Sequence, residues 1–231
     1  GGTGAYTYLW TGGQTSVTAT GLSAGTYTVT VKDANLCTAT SEVIISNPTH
    51  IAGDAWYVND NSLVGGVYTS AVGNDSNIGT PSCPVATLAQ AITLASAGEV
   101  IYVDAGTYTG AVSVNKAVQL RGANYGVAGS GTRVSESIIS NPSGTALTIS
   151  TSGSTVDGFN MLAGTAVSST GVSATISNNK IAASANGINV AGTSSGYTVS
   201  NNEITLSSQG SALAPTIGVS LTGVSGTTAA T

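Results

Sequence analysis

Residues Thr87 to Gly122 read TLAQAITLASAGEVIYVDAGTYTGAVSVNKAVQLRG, and the spacing of apolar side chains changes twice within them. Thr87 and Gln90 stand at capping-box spacing, where the Thr hydroxyl accepts an N–H bond at a helix start and the Gln amide reaches back to the cap. Leu88, Ala91, Ile92 and Ala95 then recur at i, i+3, i+4 and i+7, with Gln90, Thr93 and Ser96 on the other side. This predicts a short amphipathic helix over 88–97, ended by Gly98 in a left-handed conformation. Beyond Gly98 the period shortens. Val100-Ile101-Tyr102-Val103 is an apolar run, then Val112/Val114 and Val118/Leu120 alternate, separated by Gly106 and Asn115-Lys116. Short strands with tight corners follow from that pattern.

Downstream the chain repeats itself. Val156-Asp157-Gly158-Phe159-Asn160-Met161, Ile176-Ser177-Asn178-Asn179-Lys180-Ile181 and Val199-Ser200-Asn201-Asn202-Glu203-Ile204 superpose at offsets of 20 and 23 residues, the sequence signature of a stacked-coil architecture. A second strand belongs to each coil: Ala146 to Ile149, Ala166-Val167, Gly187 to Val190 and Ile217 to Leu221. In this register Asn178 lies over Asn201 and Asn179 over Asn202, so stacked amides can hydrogen-bond up a column at a corner. Asn160, Lys180 and Glu203 fall in a second column, where Lys180 and Glu203 can form an exposed ion pair of about 0–1 kcal/mol. Ile176, Ile181, Ile188, Val199 and Ile204 are expected to point inward and to bury themselves on neighbouring coils.

Upstream, residues 1–48 alternate as antiparallel strands do. Four strands are expected: one carrying Tyr6, Tyr8 and Trp10, one with Val17 and Ala19, one with Tyr27, Val29 and Val31, and a last from Cys37 to Ile45 after the turn Asp33-Ala34-Asn35. Ser46-Asn47-Pro48-Thr49-His50 breaks the alternation. The domain reading is therefore 1–48, a linker over 49–53, and 54–231.

Three groups of residues carry resemblances. Tyr57-Val58, Gly79-Thr80, Thr87 to Ala97, Val100 to Val103 with Gly106-Thr107-Tyr108, and Leu120-Arg121-Gly122 together resemble the N-terminal part of right-handed parallel β-helices of the pectin-lyase-like kind, in which a small helix caps the first coil. Leu22-x-x-Gly25-x-Tyr27 resembles the tyrosine corner of immunoglobulin-like sandwiches, which implies a structural role for Tyr27. The segment GGTGAYTYLWTGG followed by GLSAGTYTVTVKDANLC resembles a repeat of gliding-motility surface adhesins exported by type IX secretion, with Ala5 where Pro is usual and Leu36 where Gly is usual. The fold class implied is all-β: a partial immunoglobulin-like β-sandwich followed by a right-handed parallel β-helix with a short N-terminal capping helix. The adhesin resemblance further implies an extracellular, cell-surface location, an export machinery as partner, and a partner for Cys37 in a stretch preceding Gly1. Both ends are expected to cut through folded domains, which predicts that these residues alone are poorly soluble or oligomeric.

Composition narrows the chemistry. Charged residues make up 6% of the chain, against roughly a quarter in an ordinary soluble domain, and Lys32, Lys116, Arg121, Arg133 and Lys180 are the only cations in a net charge of -5. No basic patch for nucleic acid results. Mean hydropathy is +0.25, yet no apolar run approaches the ~20 residues of a membrane span. Cys37 and Cys83 fall in different segments, and metal-ligand spacing is absent. Gly73-Asn74-Asp75-Ser76-Asn77 offers oxygens that could meet Ca²⁺, but its spacing is not that of an EF-hand, and an Asx-turn loop is the simpler reading. Asn74-Asp75-Ser76 is also a formal glycosylation sequon.

A glycosidase needs two carboxyls about 5 Å apart for retention or roughly 6.5–9.5 Å for inversion, whereas Asp157 here stacks over Ser177 and Ser200. Arg121 and Arg133 flank a Gly-rich stretch and read as surface pairs, with Glu136 or Asp104 as partners. His50, the sole histidine, falls in the linker and is expected to be solvated, so no nucleophile–base–orienter set can be assembled. No catalytic, cofactor or metal residues are assigned. The function expected is that of a non-catalytic adhesin or stalk segment contacting an extracellular surface or polysaccharide. The alternatives are a carbohydrate-active β-helix, and a sugar-binding module in which Tyr57, Tyr68, Tyr108, Tyr125 or Tyr197 stack on pyranose rings.

Overall fold

The computed structural model describes residues 2–23, 25–45, 50–51, 53–192, 196–207 and 217–222. The chain separates into two compact units, 1–49 and 50–231. The expected break at Ser46 to Thr49, most of the chain end near Thr231, and two positions of the 49–53 linker lie outside the described residues.

In the first unit, β1 (Thr7–Trp10), β2 (Gly25–Lys32) and β3 (Thr38–Ile45) form one antiparallel sheet in that order. Period-2 alternation places Tyr8 opposite Val31, Trp10 opposite Val29 and Tyr27 opposite Val43, which gathers the apolar side chains on one face. Three strands stand among the described residues where four were expected. The segment around Val17 and Ala19 is held by side chains instead of a ladder: the Gln14 amide donates to the Thr20 carbonyl (2.9 Å) and accepts from its N–H (3.0 Å), and the Trp10 indole donates to Ser16 O (2.9 Å). Val17 is left 67% exposed. Tyr27 Oη donates to Ser23 O at 3.0 Å, a structural role of the kind expected for it, and Tyr6 makes the same i−4 bond to Gly2 O at 2.9 Å.

The second unit begins with β4 (Trp56–Val58), reaches α1 (Leu88–Leu94) after a long excursion, and continues through β5 (Val100–Val103), β6 (Gly106–Thr109), β7 (Val112–Val114) and β8 (Gln119–Arg121). After a second excursion come β9 (Ser137–Ile149), β10 (Ser154–Asp157), β11 (Phe159–Thr170), β12 (Ala174–Ser177), β13 (Lys180–Ala191), β14 (Thr198–Ser200), β15 (Glu203–Leu206) and β16 (Ile217–Thr222). All of these pair in parallel. One sheet runs β4-β5-β8-β10-β12-β14 and the other β6-β9-β11-β13-β15, with β7 on β9 and β16 on β13. From β10 onward, successive coils add one short strand to the first sheet and one long strand or pair of strands to the second. Among the described residues the chain is mostly β, with one short helix and no closed barrel.

The register follows the sequence repeat. Val156 pairs with Ile176 and Ile176 with Val199; Met161 pairs with Ile181 and Ile181 with Ile204. Ile176, Ile181, Ile188 and Val199 are buried, and Ile204, in the last coil described, is partly buried against the same cluster. Lys180 Nζ lies 3.8 Å from Glu203 Oε2, both well exposed. At the corner after β10, β12 and β14 the chain turns through one left-handed residue: Gly158 (φ 82°), Asn178 (φ 59°) and Asn201 (φ 55°). Asn is among the few side chains that tolerate this region. The next residue carries the ladder. Asn179, fully buried, accepts from Phe159 N–H (3.0 Å) and donates to Val156 O, Ser177 O and Asn202 Oδ1, while Asn202 donates to Ile176 O (2.8 Å). Buried turn groups are thereby satisfied without water.

Helix α1 closes the end of the core next to β4, with Leu88, Ala91, Ile92 and Ala95 buried as the spacing predicts. It is shorter than expected. Thr87 Oγ1 accepts from Gln90 N–H (3.1 Å), but the Gln90 amide donates to Asp75 O, because the Asp75 carboxylate already holds Thr87 N–H and Oγ1. The capping box is thus completed by an acid from the first excursion. The helix stops at Leu94, with Ala95 extended (φ −62°, ψ 146°), so the left-handed Gly98 (φ 92°) opens the turn into β5 and does not cap the helix. Lys116 Nζ donates to Ala95 O at 2.8 Å and to Thr93 O, placing a cation where the last carbonyls point.

The second excursion, residues 122–136, lies along the corners of the coils. Gly126 N–H donates to Asp157 Oδ1 (2.8 Å), Arg133 to Phe159 O (3.1 Å) and Asn178 O (2.8 Å), and Gly129 N–H to Asn201 O (2.8 Å). A Cβ on Gly129 would collide with the Asn179 carbonyl, so only glycine allows this approach.

Candidate functional site

In β4, β5 and β8 the flanking residues Trp56, Val58, Ile101, Val103 and Leu120 point into the core. Alternation therefore turns Tyr57, Tyr102 and Arg121 outward, and the register sets them in one column. The Tyr57 and Tyr102 rings stack with centroids 5.4 Å apart. Arg121 continues the stack, its Cζ 5.5 Å from the Tyr102 centroid and 4.4 Å from that of Tyr125, which arrives from the second excursion. These distances are within cation–π range. Nη1 of Arg121 donates to Tyr102 Oη (3.0 Å) and Nη2 to Gln119 Oε1 (2.9 Å). From the first excursion Tyr68 tilts against Tyr102 at 4.9 Å and donates its hydroxyl to Gly122 O (2.8 Å). Burial, helped by the nearby Tyr102 and Asp104, pushes the Tyr68 phenol up to about 12. Tyr125 is 45% exposed, and Tyr57, Tyr102 and Arg121 are half-buried.

A cavity of about 560 Å³ adjoins this column, lined by Gly53, Ala55, Ser96, Gly98, Glu99 and Tyr102 among others. Its acid is Glu99. Burial raises the Glu99 carboxyl, but bonds from Ser96 N–H, Gly53 N–H and the Trp56 indole, together with nearby His50, outweigh that and leave it below its ordinary range. His50 is not solvated as expected: its ring stacks on Trp56 with centroids 3.7 Å apart. The flat indole face offers the imidazole apolar contact that water does not.

Residues 71–228 match the family model described as "Protein of unknown function (DUF1565)". The chain belongs to the DUF1565 family. The DUF1565 region takes in α1, every strand from β5 to β16, and Tyr102, Arg121 and Tyr125, whereas Tyr57 and Tyr68 precede it. No curated protein matches the chain, and no solved structure does.

Most other candidates within and before the DUF1565 region serve the scaffold. Asp104, fully buried, accepts from the N–H groups of Val67, Tyr68, Thr69 and Ala105 and from Thr69 Oγ1, tying the first excursion to the coil. Asp157 accepts from Gly126 N–H, Ser177 Oγ (2.8 Å) and Asn178 Nδ2 (2.6 Å). In the 73–77 loop Asn74 Oδ1 accepts from Ser76 N–H, an Asx turn, and among the described residues no three metal-ligating side chains cluster. Arg133 and Glu136 meet in a two-bond pair at 2.8 and 2.9 Å. That pair is not the surface contact expected, since the Arg133 side chain is 5% exposed; the coil corners cover it. Arg121 meets neither Asp104 nor Glu136. Tyr108 and Tyr197 are buried, their hydroxyls bonded to Asp104 O (3.0 Å) and Ser169 Oγ (2.7 Å), which removes them as sugar platforms. Tyr57, Tyr68 and Tyr125 are brought together. Tyr102, at the centre, was not among the sequence candidates, although Trp56-Tyr57-Val58 and Ile101-Tyr102-Val103 share one apolar-Tyr-Val pattern.

Proposed function

We propose that this chain is a non-catalytic segment of a secreted cell-surface protein, acting as stalk or adhesive surface in attachment or gliding. In this reading residues 1–48 are an incomplete immunoglobulin-like adhesin repeat of the type IX-exported kind, and residues 54–231 a right-handed parallel β-helix of the pectin-lyase-like kind. The observation that carries it is how the acids are used. Of the ten, Glu42 and Asp54 alone make no hydrogen bond or ion pair among the described residues, and both are exposed surface groups. The rest anchor loops, cap α1 or pair with a cation, so no carboxyl pair stands free to work on a glycosidic bond. The regular stacking of uncharged Ser, Thr and Asn side chains on the outer faces suits an extended spacer. Deleting the gene should reduce surface attachment, spreading or gliding of the cells that carry it; unchanged behaviour in all three assays would discard the proposal.

A second reading, carbohydrate binding, is favoured by the outward-facing, half-buried Tyr–Arg column beside a cavity of ligand size. Cleavage of a polysaccharide by the full-length protein would instead support a carbohydrate-active role.

A further inference from the structure

We propose that the Tyr57–Tyr102–Arg121–Tyr125 column binds an anionic saccharide: a pyranose whose carboxylate or sulfate sits on Arg121 while its ring lies against Tyr125 and the Tyr102 side of the adjoining cavity. This rests on the reading that the chain contacts extracellular surfaces or polysaccharide, and names the ligand class and the residues.

Arg121 differs from the other cations of residues 50–231. Lys116 donates to helix carbonyls, Arg133 is paired with Glu136 and bonded to three carbonyls, and Lys180 faces Glu203. Among the described residues Arg121 has neither a carboxylate nor a backbone carbonyl. Two neutral side chains, Tyr102 and Gln119, engage its Nη1 and Nη2. A guanidinium carries five N–H donors in a planar fork, so donors remain for an incoming anion, and the fork matches a carboxylate or sulfate in two-point fashion. The aromatic bracket fixes the guanidinium plane, so little side-chain freedom is lost on binding.

Space and shape agree. Val100 and Tyr102 line the cavity, and the register places Gln119 and Arg121 directly beside them on the next strand. A ring bound there contacts an aromatic face and directs a substituent to the guanidinium. With a net charge of -5 the chain does not attract polyanions as a whole, so affinity must come from this locus.

The test is titration of the full chain with three probes: alginate oligomers (carboxylated), dextran sulfate (sulfated) and neutral dextran. The wild type is expected to bind at least one anionic probe and to ignore dextran; the preferred anionic probe tells carboxylate from sulfate. Arg121→Gln should weaken that binding about tenfold or more, and Tyr125→Ala about threefold or more, while Lys180→Gln leaves it unchanged. Because Arg121 also supports the Tyr stack, Arg121→Lys is the second variant, keeping the charge and losing the fork, with an intermediate loss expected. Failure of both anionic probes, equal binding of dextran, no effect of either Arg121 variant, or an equal loss with Lys180→Gln overturns the site. If the probes fail but gene loss abolishes attachment, this inference alone falls. If the probes bind and attachment survives gene loss, the attachment reading alone falls.

Discussion

Replacing Asn179 by Ala tests whether the amide ladder holds the coils together. Its Oδ1 is the acceptor for the Phe159 N–H, and its Nδ2 serves the carbonyls of Val156 and Ser177 as well as Asn202 Oδ1, all at a fully buried position. Alanine strands the Phe159 donor, and a buried unsatisfied N–H costs about 1–3 kcal/mol. Loss of the bonds to the two carbonyls adds about 0.5–1 kcal/mol, for an expected total of about 1.5–4 kcal/mol. Asn202→Ala, on the half-buried outer rung, should cost about half as much. Since the two amides touch, the double variant should fall short of additivity by about 0.5 kcal/mol or more. Urea unfolding followed by far-UV circular dichroism measures all three. A cost for Asn179→Ala below about 0.5 kcal/mol, or a larger cost at Asn202 than at Asn179, would refute the ladder as a stabilising device.

Three further outcomes are expected. At the exposed left-handed corner Asn201 (φ 55°), Gly should be tolerated within a few tenths of a kcal/mol, whereas Val should cost about 1–2 kcal/mol; equal effects on urea midpoints would contradict the corner geometry. Glu99 has its folded carboxyl below its ordinary value of 4.5, so its contribution is complete above that pH and is lost as pH falls through the folded value. Glu99→Gln should therefore show a shallower loss of melting temperature on acidification than the wild type, and parallel curves would count against the Glu99 network. Tyr68 has its phenol raised from 10.0 to about 12, so its contribution is present below pH 10 and is lost between those values. Tyr68→Phe should flatten the alkaline limb, and a 295 nm titration should lose a late-ionising phenol; an unaltered titration would mean Tyr68 is solvated.

The coil register was legible in the sequence because a parallel stack leaves its period in the chain: Val156, Ile176 and Val199 recur with the same neighbours because each meets the same environment. Helix α1 was legible in its buried face but not in its ends, since its cap depends on Asp75, an acid twelve residues before Thr87 that spacing rules do not reach. Val17 and Ala19 alternate like a strand, yet the Gln14 and Trp10 side chains fix that segment by bonds that no periodicity records. His50 and Arg133 misled for a related reason. Each was read from its local sequence, but the His50 ring is partly covered by Trp56, six residues on, and the Arg133 side chain is buried by coil corners far along the chain. The Tyr–Arg column could have been found by aligning β4 with β5, but the excursion of residues 59–87 between them hides the match from a search for repeats of about 20 residues.

Because residues 122–136 grip the coils at Asp157, Phe159, Asn178 and Asn201 in succession, the stack is not held only by bonds between one layer and the next. Parallel strands lie across the stacking direction, so tension along that direction pulls the ladder bonds apart end-on, one layer at a time. A covalent segment fastened to several layers shares such a load, as a stay does on a mast: peeling one layer requires its ladder to break and also its tie to the stay. Force applied along the stack should therefore meet its largest resistance over the layers the segment crosses, and a chain cut within 127–132 should lose that resistance while keeping its layers.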